Sequence, residues 1–308
     1  MDLESIVSLT EDATDNIDFY SELYRSKSVE LDSIESFADF RDQVPRTSKD
    51  VLLNEYEGGS FDMGSEEVDE AVYGISASGT TSEMACYYRQ SWEMEAHRKR
   101  FMENASHFFS TGSNSDRVVV ATTFSLAPIM TQQFMEFDCV VTCASPLDLN
   151  RTVEVITTMN ANTVVCSPAI AVKLSEKLQE RGYDGLDKFY LISSGLTPLV
   201  ESKIRDTYPN IEIMLQYGLA EAGILLGQCS HLTSTNKYHR INDEDIHVEF
   251  LNEDGEEIEE GETGDIVVTK SGAFPLIRYE VGDLFEKESE CACGKPVYRF
   301  VGRKSDRI

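Results

Sequence analysis

Between residues 118 and 215 the chain alternates short β-branched runs with helix-length segments, and this alternation constrains the fold more than any other feature. Residues 118–121, 139–142, 163–166, 189–192 and 211–215 read as strands of the kind buried on both faces. Residues 128–137, 150–159, 169–181 and 199–208 read as the helices between them. Strands joined through helices must cross over the sheet, so neighbours run parallel and the helices cover its faces. The expected architecture is therefore α/β, with a mostly parallel sheet flanked by helices. Ligands of such sheets bind beyond the carboxyl ends of the strands, where Ser193-Ser194-Gly195 and Gln216-Tyr217-Gly218 lie.

From about residue 225 the texture changes. Residues 246–251, 265–269 and 297–301 alternate as strands, with the turn-type stretch 252–257 between the first two. The expected division is an α/β core over 1–224 and a β-rich subdomain over 225–308, and 308 residues suffice for about two domains. Residues 1–40 read as acidic helices, 45–50 as a turn into another short helix, and 83–110 as the longest helix, its aromatics (Tyr87, Tyr88, Trp92, Phe101) packing a core. The seven acidic residues within 253–262 read as a solvated hairpin tip.

The charge balance narrows the partners. With 27 basic and 55 acidic residues the net charge is −28, which repels nucleic acid and anionic membranes. No run of about 20 apolar residues exists, and Met1-Asp-Leu-Glu-Ser has no signal-peptide pattern. Seven cysteines, an odd count in a large chain, suit a reducing cytoplasm with free thiols or a metal.

Residues 75–84 read Ile-Ser-Ala-Ser-Gly-Thr-Thr-Ser-Glu-Met. Small side chains let the backbone wrap closely round a ligand, and consecutive N–H groups make an anion nest. A helix from near Glu83 would direct its positive end to the same place. The reading is a phosphate-holding loop; a Ser/Thr-rich surface turn is the alternative. From Gly74 to Thr81 the spacing is that of a Walker A loop, but Thr80 stands where that loop needs lysine. Phosphate charge must then be met elsewhere, by a metal ion.

Cys291-Ala-Cys293-Gly294, with Cys229 and His239, offers three thiolates and an imidazole, a set for structural zinc. His231 is an alternative to His239, and ordinary buried cysteines are the alternative to a metal. Cys86, Cys139, Cys143 and Cys166 read as core residues, and His97 and His107 as solvated. No Gly-x-Ser-x-Gly and no Gly-x-Gly-x-x-Gly is present, which disfavours a serine hydrolase and a Rossmann oxidoreductase.

Five stretches in order resemble the adenylate-forming superfamily, most closely its phenylacetate–CoA ligase-like branch. These are Pro45-Arg-Thr-Ser-Lys49, Ser76-Ala-Ser-Gly79-Thr80-Thr81, Tyr217-Gly218-Leu219-Ala220-Glu221, Arg278-Tyr279-Glu280-Val281-Gly282-Asp283-Leu284 and Gly302-Arg303-Lys304-Ser305-Asp306. The resemblance implies that a carboxylate attacks the α-phosphate of ATP to give an acyl-adenylate and pyrophosphate. It implies phosphate contacts from Ser78, Gly79, Thr80 and Thr81, and an adenine pocket at Ser194, Gly195, Tyr217 and Gly218. It implies Mg²⁺ at Glu221, ribose at Asp283, ribose or phosphate at Arg303, and a hinge at Asp306. Phe124, Gly218 and Leu219 take the acid pocket.

The chain also departs from that pattern. The loop lacks a lysine after Thr81, Ala220 replaces a Ser/Thr, and Glu280 replaces a basic residue. The family's C-terminal domain of roughly 100 residues, which carries a further lysine, has no counterpart before Ile308. The expected function is thus ATP-dependent adenylation of a small or aromatic carboxylic acid. CoA or a carrier protein would act through a separate C-terminal domain, and a homodimer is an expectation of the same branch. Two rivals stand beside it: a non-catalytic nucleotide- or acyl-adenylate-binding module, and half of a split ligase.

Overall fold

The structure is a computed structural model describing residues 1–48, 51–52, 71–78, 84–109, 116–233, 235–241, 243–273 and 275–306. Three helices open the chain: α1 (Leu3–Asn16), α2 (Asp18–Lys27) and α3 (Phe37–Gln43). Asp2 and Ser36 cap α1 and α3 by accepting from the amides of Ser5 and Asp39. Tyr20, Tyr24 and Phe40 are the buried faces of α2 and α3. Next comes β1 (Thr47–Ser48), which pairs in parallel with Tyr279 and Glu280 of a strand far along the chain. The turn expected at 45–50 thus includes a sheet segment.

Strands β2 (Ala71–Ser78) and β3 (Met84–Gln90) pair antiparallel, in one register from Tyr73 opposite Arg89 to Ser78 opposite Met84, with a shift between Ala71 and Tyr73. The helix expected over 83–110 is shorter: α4 runs Ser91–Ala105. Two local preferences override helical reading here. Cys86-Tyr87-Tyr88 favours a strand, and a capping box between Gln90 and Glu93 sets the helix start at Ser91. Seven residues of strand, Met84–Gln90, precede that start, roughly 20 Å at about 3.3 Å per residue. The helix therefore starts at the far end of β3 from Met84, not near Glu83. Tyr87 and Phe101 are buried as expected, but Trp92 is 44% exposed.

The alternation then runs as expected: β4 (Arg117–Val120), α5 (Ala127–Met135), β5 (Val140–Cys143), α6 (Leu149–Met159), β6 (Thr163–Cys166), α7 (Pro168–Glu180), β7 (Lys188–Leu191), α8 (Pro198–Thr207) and β8 (Glu212–Leu215). These strands form one parallel sheet in the order β5-β4-β6-β7-β8. Val118, Val119, Val120, Val164 and Val165 are fully buried, as a sheet covered on both faces requires. Phe101, Phe109, Phe134, Phe137 and Tyr190 pack edge-to-face and tilted between α4, α5 and this sheet.

A second sheet comprises β9 (Tyr217–Leu219), β10 (Gly223–Gly227), β11 (Lys237–Arg240), β12 (Ile246–Leu251), β13 (Thr263–Lys270), β14 (Leu276–Glu288) and β15 (Val297–Arg303). Its order is β12-β13-β14-β15-β11-β10-β9, antiparallel throughout, with β1 added in parallel on β14. Among the described residues, no helix is long and apolar enough to cross a membrane.

Candidate functional site

One residue after the parallel strand β8 ends at Leu215, the chain enters the β9–β10 hairpin. A Cβ on Gly218 would lie 2.5 Å from the carbonyl oxygen of Gly223, and Gly223 has φ +85°, so both positions require glycine. Glu221 sits on the resulting tight turn.

The hairpin lies where β14 and β15 bring the other motif residues. The Tyr217 hydroxyl donates to Oδ2 of Asp283 at 2.7 Å. Arg303, directly opposite Asp283 in the β14–β15 ladder, places Nε 3.3 Å from Oδ1. Asp283 is 5% exposed, so its charge depends on these partners. The Tyr217 ring lies edge-on to Phe285, with centroids 5.1 Å apart. Burial, then the Asp283 carboxylate, pushes the Tyr217 phenol well above its ordinary range and keeps it a donor. The loop 193–195 lies against β15: Ser193 is left-handed at φ 74°, and a Cβ on Gly195 would meet the Phe300 ring at 2.4 Å. Ser194 and Phe124 are exposed at the carboxyl ends of β7 and β4.

Glu221 accepts a 2.9 Å hydrogen bond from the Tyr279 hydroxyl. Arg89 of β3 donates to the Ala220 carbonyl at 2.7 Å. Neither contact is evident from the sequence, although Tyr279 lies inside a quoted motif. Glu280, the acidic departure, is also accounted for: Lys304 Nζ lies 3.0 Å from it and 2.9 Å from Asp265, and Arg46 lies 3.6 Å away. Of the expected phosphate contacts, Gly79, Thr80 and Thr81 lie outside the described residues. Ser78 is the last residue of β2, and its side chain lies outside them too. Asp306 ends a single 3-10 turn, Lys304–Asp306.

The expected zinc set comes together. One donor atom each from Cys229, His239, Cys291 and Cys293 lies within 4.8 Å of every other. The Cys229 and Cys291 sulfurs are 3.7 Å apart, and His239 Nε2 is 3.3 Å from the sulfurs of Cys229 and Cys293. A tetrahedral ion with metal–sulfur bonds of about 2.3 Å needs sulfurs about 3.7 Å apart. Nδ1 of His239 is 2.7 Å from the Pro296 carbonyl, which can only accept, so Nδ1 carries the proton and Nε2 turns its lone pair to the thiols. Gly294 at φ +79° closes the turn that presents both Cys291 and Cys293. His231 is exposed and outside the cluster.

Other residues depart from expectation. His97 is not solvated: it bonds to Gln133 at 2.6 Å and packs on Gly223, and burial, with Arg89, pushes it down to about 3. Cys143 is exposed on the edge strand β5, Cys139 is half-buried, and Cys166 is buried as expected.

No protein-family model matches the sequence, and no curated protein is similar to it. Solved structures are similar. A 2-hydroxyisobutyryl-CoA ligase in an open conformation, in complex with 2-HIB-AMP and CoA, superposes with a TM-score of 0.82 at 19% identity, over 99% of this chain and 74% of that one. The same ligase in its postadenylation state gives 0.82 at 20%, over 99% and 67%. A long-chain-fatty-acid-CoA ligase, FadD1 from Archaeoglobus fulgidus, gives 0.58 at 15%, over 78% and 52%. The structural neighbours are ligases of the adenylate-forming superfamily, and this chain has their fold.

Proposed function

We propose that the chain activates a small carboxylic acid by adenylation. A carboxylate oxygen attacks the α-phosphorus of ATP; the bond to the bridging oxygen breaks, and pyrophosphate leaves with the electron pair. Such chemistry is mostly positioning and charge stabilisation. Asp283 takes the ribose hydroxyls, Tyr217 and Gly218 with Ser194 and Gly195 form the adenine wall, and Arg303 approaches the ribose or phosphate. Residues 78–81 hold the β- and γ-phosphates. Glu221 offers the hard carboxylate that suits Mg²⁺, an ion that would neutralise phosphate charge. The observation that carries the reading is the Tyr217–Asp283–Arg303 group on adjoining strands, within a fold shared with ligases bound to acyl-AMP. Resemblance to the phenylacetate–CoA ligase-like branch favours an aromatic acid, and CoA or a carrier protein as the later acceptor.

The Cys229–His239–Cys291–Cys293 group holds a structural zinc ion in this reading. The donor types, the tetrahedral spacings and the fixed tautomer of His239 support it. The deciding test of function is acid-dependent pyrophosphate–ATP exchange across aryl and aliphatic acids with Mg²⁺. Exchange with one acid, abolished by Asp283→Ala, would establish adenylation and name the substrate. AMP binding without exchange for any acid would instead leave a nucleotide-binding module.

A further inference from the structure

The turn that carries Glu221 is held from two sides by residues outside it. From β14, the Tyr279 hydroxyl donates to Glu221 Oε1 at 2.9 Å, and Tyr279 is 3% exposed. From β3, the Arg89 guanidinium donates to the Ala220 carbonyl at 2.7 Å and is also 3% exposed. Arg89 is itself fixed. Its NH1 lies 3.5 Å from Glu93 Oε1, and the same oxygen meets Lys270 Nζ at 2.5 Å. Glu93 Oε2 accepts from the amides of Gln90 at 2.9 Å and Ala273 at 3.1 Å. Burial alone would raise the Glu93 carboxyl, but Lys270, the Gln90 amide and Arg89 hold it below the usual range. Glu93 thus stays an anion that anchors Arg89.

This arrangement has a specific consequence. Arg89 lies on β3, so its bond to Ala220 sets the β9–β10 turn relative to the β2–β3 pair. Tyr279 orients the carboxylate that the turn presents. A donor on one carboxylate oxygen fixes the group's rotation and leaves the other oxygen to point outward, as outer partners of metal-ligating carboxylates do.

We infer that Tyr279 and Arg89 are positioning residues for Glu221, clamping its turn so that the carboxylate meets the metal of a bound metal–nucleotide. The inference rests on the adenylation reading but is separable from it, because AMP carries neither the β- nor the γ-phosphate. The experiment compares the full chain with Tyr279→Phe, which keeps the buried ring, and with Arg89→Lys, which keeps the charge beside Glu93. Mg²⁺ titrations of ATP binding and of pyrophosphate exchange are read beside AMP affinity and melting temperature.

The expected result for Tyr279→Phe is about a tenfold rise in the Mg²⁺ needed for half-saturation, in line with losses at outer-shell positions. AMP affinity should stay within about twofold of the parent by the same outer-shell reasoning. Arg89→Lys should shift the Mg²⁺ dependence in the same direction. In a Glu221→Gln background, Tyr279→Phe should add nothing, since the pair acts as a unit. An unchanged Mg²⁺ dependence overturns the inference while leaving adenylation intact. A parallel fall in AMP affinity and melting temperature also overturns it, because the role is then general support of the fold. AMP binding without any Mg²⁺-dependent ATP binding in the parent removes Glu221 as the metal carboxylate and the inference with it. Absence of AMP binding sinks the functional reading itself.

Discussion

Tyr217 and Asp283 are 66 residues apart in sequence and 2.7 Å apart in space, joined by a hydrogen bond from the phenol to the carboxylate. One residue opens the strand that leaves the parallel sheet; the other lies in the longest strand of the antiparallel sheet. The bond therefore sits at the junction of the two sheets, where the candidate nucleotide site is proposed.

Asp283→Asn should weaken AMP binding by about tenfold to a hundredfold, the usual worth of hydrogen bonds to a charged group. A 2′,3′-dideoxy nucleotide should lose the same factor on the parent chain and nothing more on the variant. Calorimetric titration with both nucleotides checks this; a full additional loss would place the ribose elsewhere.

The zinc proposal predicts close to one equivalent of zinc in chain purified without chelator, measured by atomic absorption. Stripping the ion should lower the melting temperature, as should Cys229→Ser or Cys293→Ser, because a structural ion contributes folding free energy. Parent and variants with equal metal content and equal melting points would leave three ordinary thiols and an imidazole.

The two glycines of the site should differ in sensitivity. Gly218→Ala drives a methyl group to within 2.5 Å of a backbone oxygen, which cannot move without breaking the β9–β10 pairing. Gly195→Ala meets the Phe300 ring, a partly buried side chain that yields more readily than backbone. Urea unfolding should show a loss of about 1–3 kcal/mol for Gly195→Ala, typical of overpacking, and a larger loss for Gly218→Ala. Phe300→Leu should restore part of the first loss and none of the second.

His97 makes stability depend on pH with a definite sign. Its folded value, about 3, lies below the ordinary 6.5, so between these values the unfolded chain binds the extra proton. The contribution is therefore fully present above about pH 6.5 and is lost as pH falls toward 3. His97→Gln should flatten this part of the curve, seen as a smaller drop in the urea midpoint between pH 7 and pH 5.

The parallel sheet is legible in the sequence because its strands are uninterrupted buried runs such as Thr163–Cys166, bounded by helices of ordinary length. The β2–β3 hairpin is not. Its small residues at 76–78 look like a loop, and Tyr87, Tyr88 and Trp92 among charged residues mimic a helix. β14 also escapes notice, because Gly282 at φ +82° and the charges on either side break the alternation that marks a strand. The Cys229–His239–Cys291–Cys293 cluster is legible in part: the three cysteines stand out by their spacing, whereas the choice of His239 over His231 depends on the fold. The contact between Tyr279 and Glu221 is invisible at the level of sequence: it depends on which strands become neighbours, a long-range property that no local pattern encodes.

The pairing of β1 with β14 bears on the order in which this chain can fold. Tyr20 donates to the Pro275 carbonyl and receives the Ile277 amide, Thr47 donates to the Ile277 carbonyl, and Arg278 reaches back to the carbonyls of Arg41 and Val44. Each contact closes a loop of well over 200 residues, so the first helices lack these partners until β14 has formed. On the ribosome they emerge long before the strand they pair with. Their apolar faces lack that cover while the intervening residues are made, an interval open to chaperones and to aggregation.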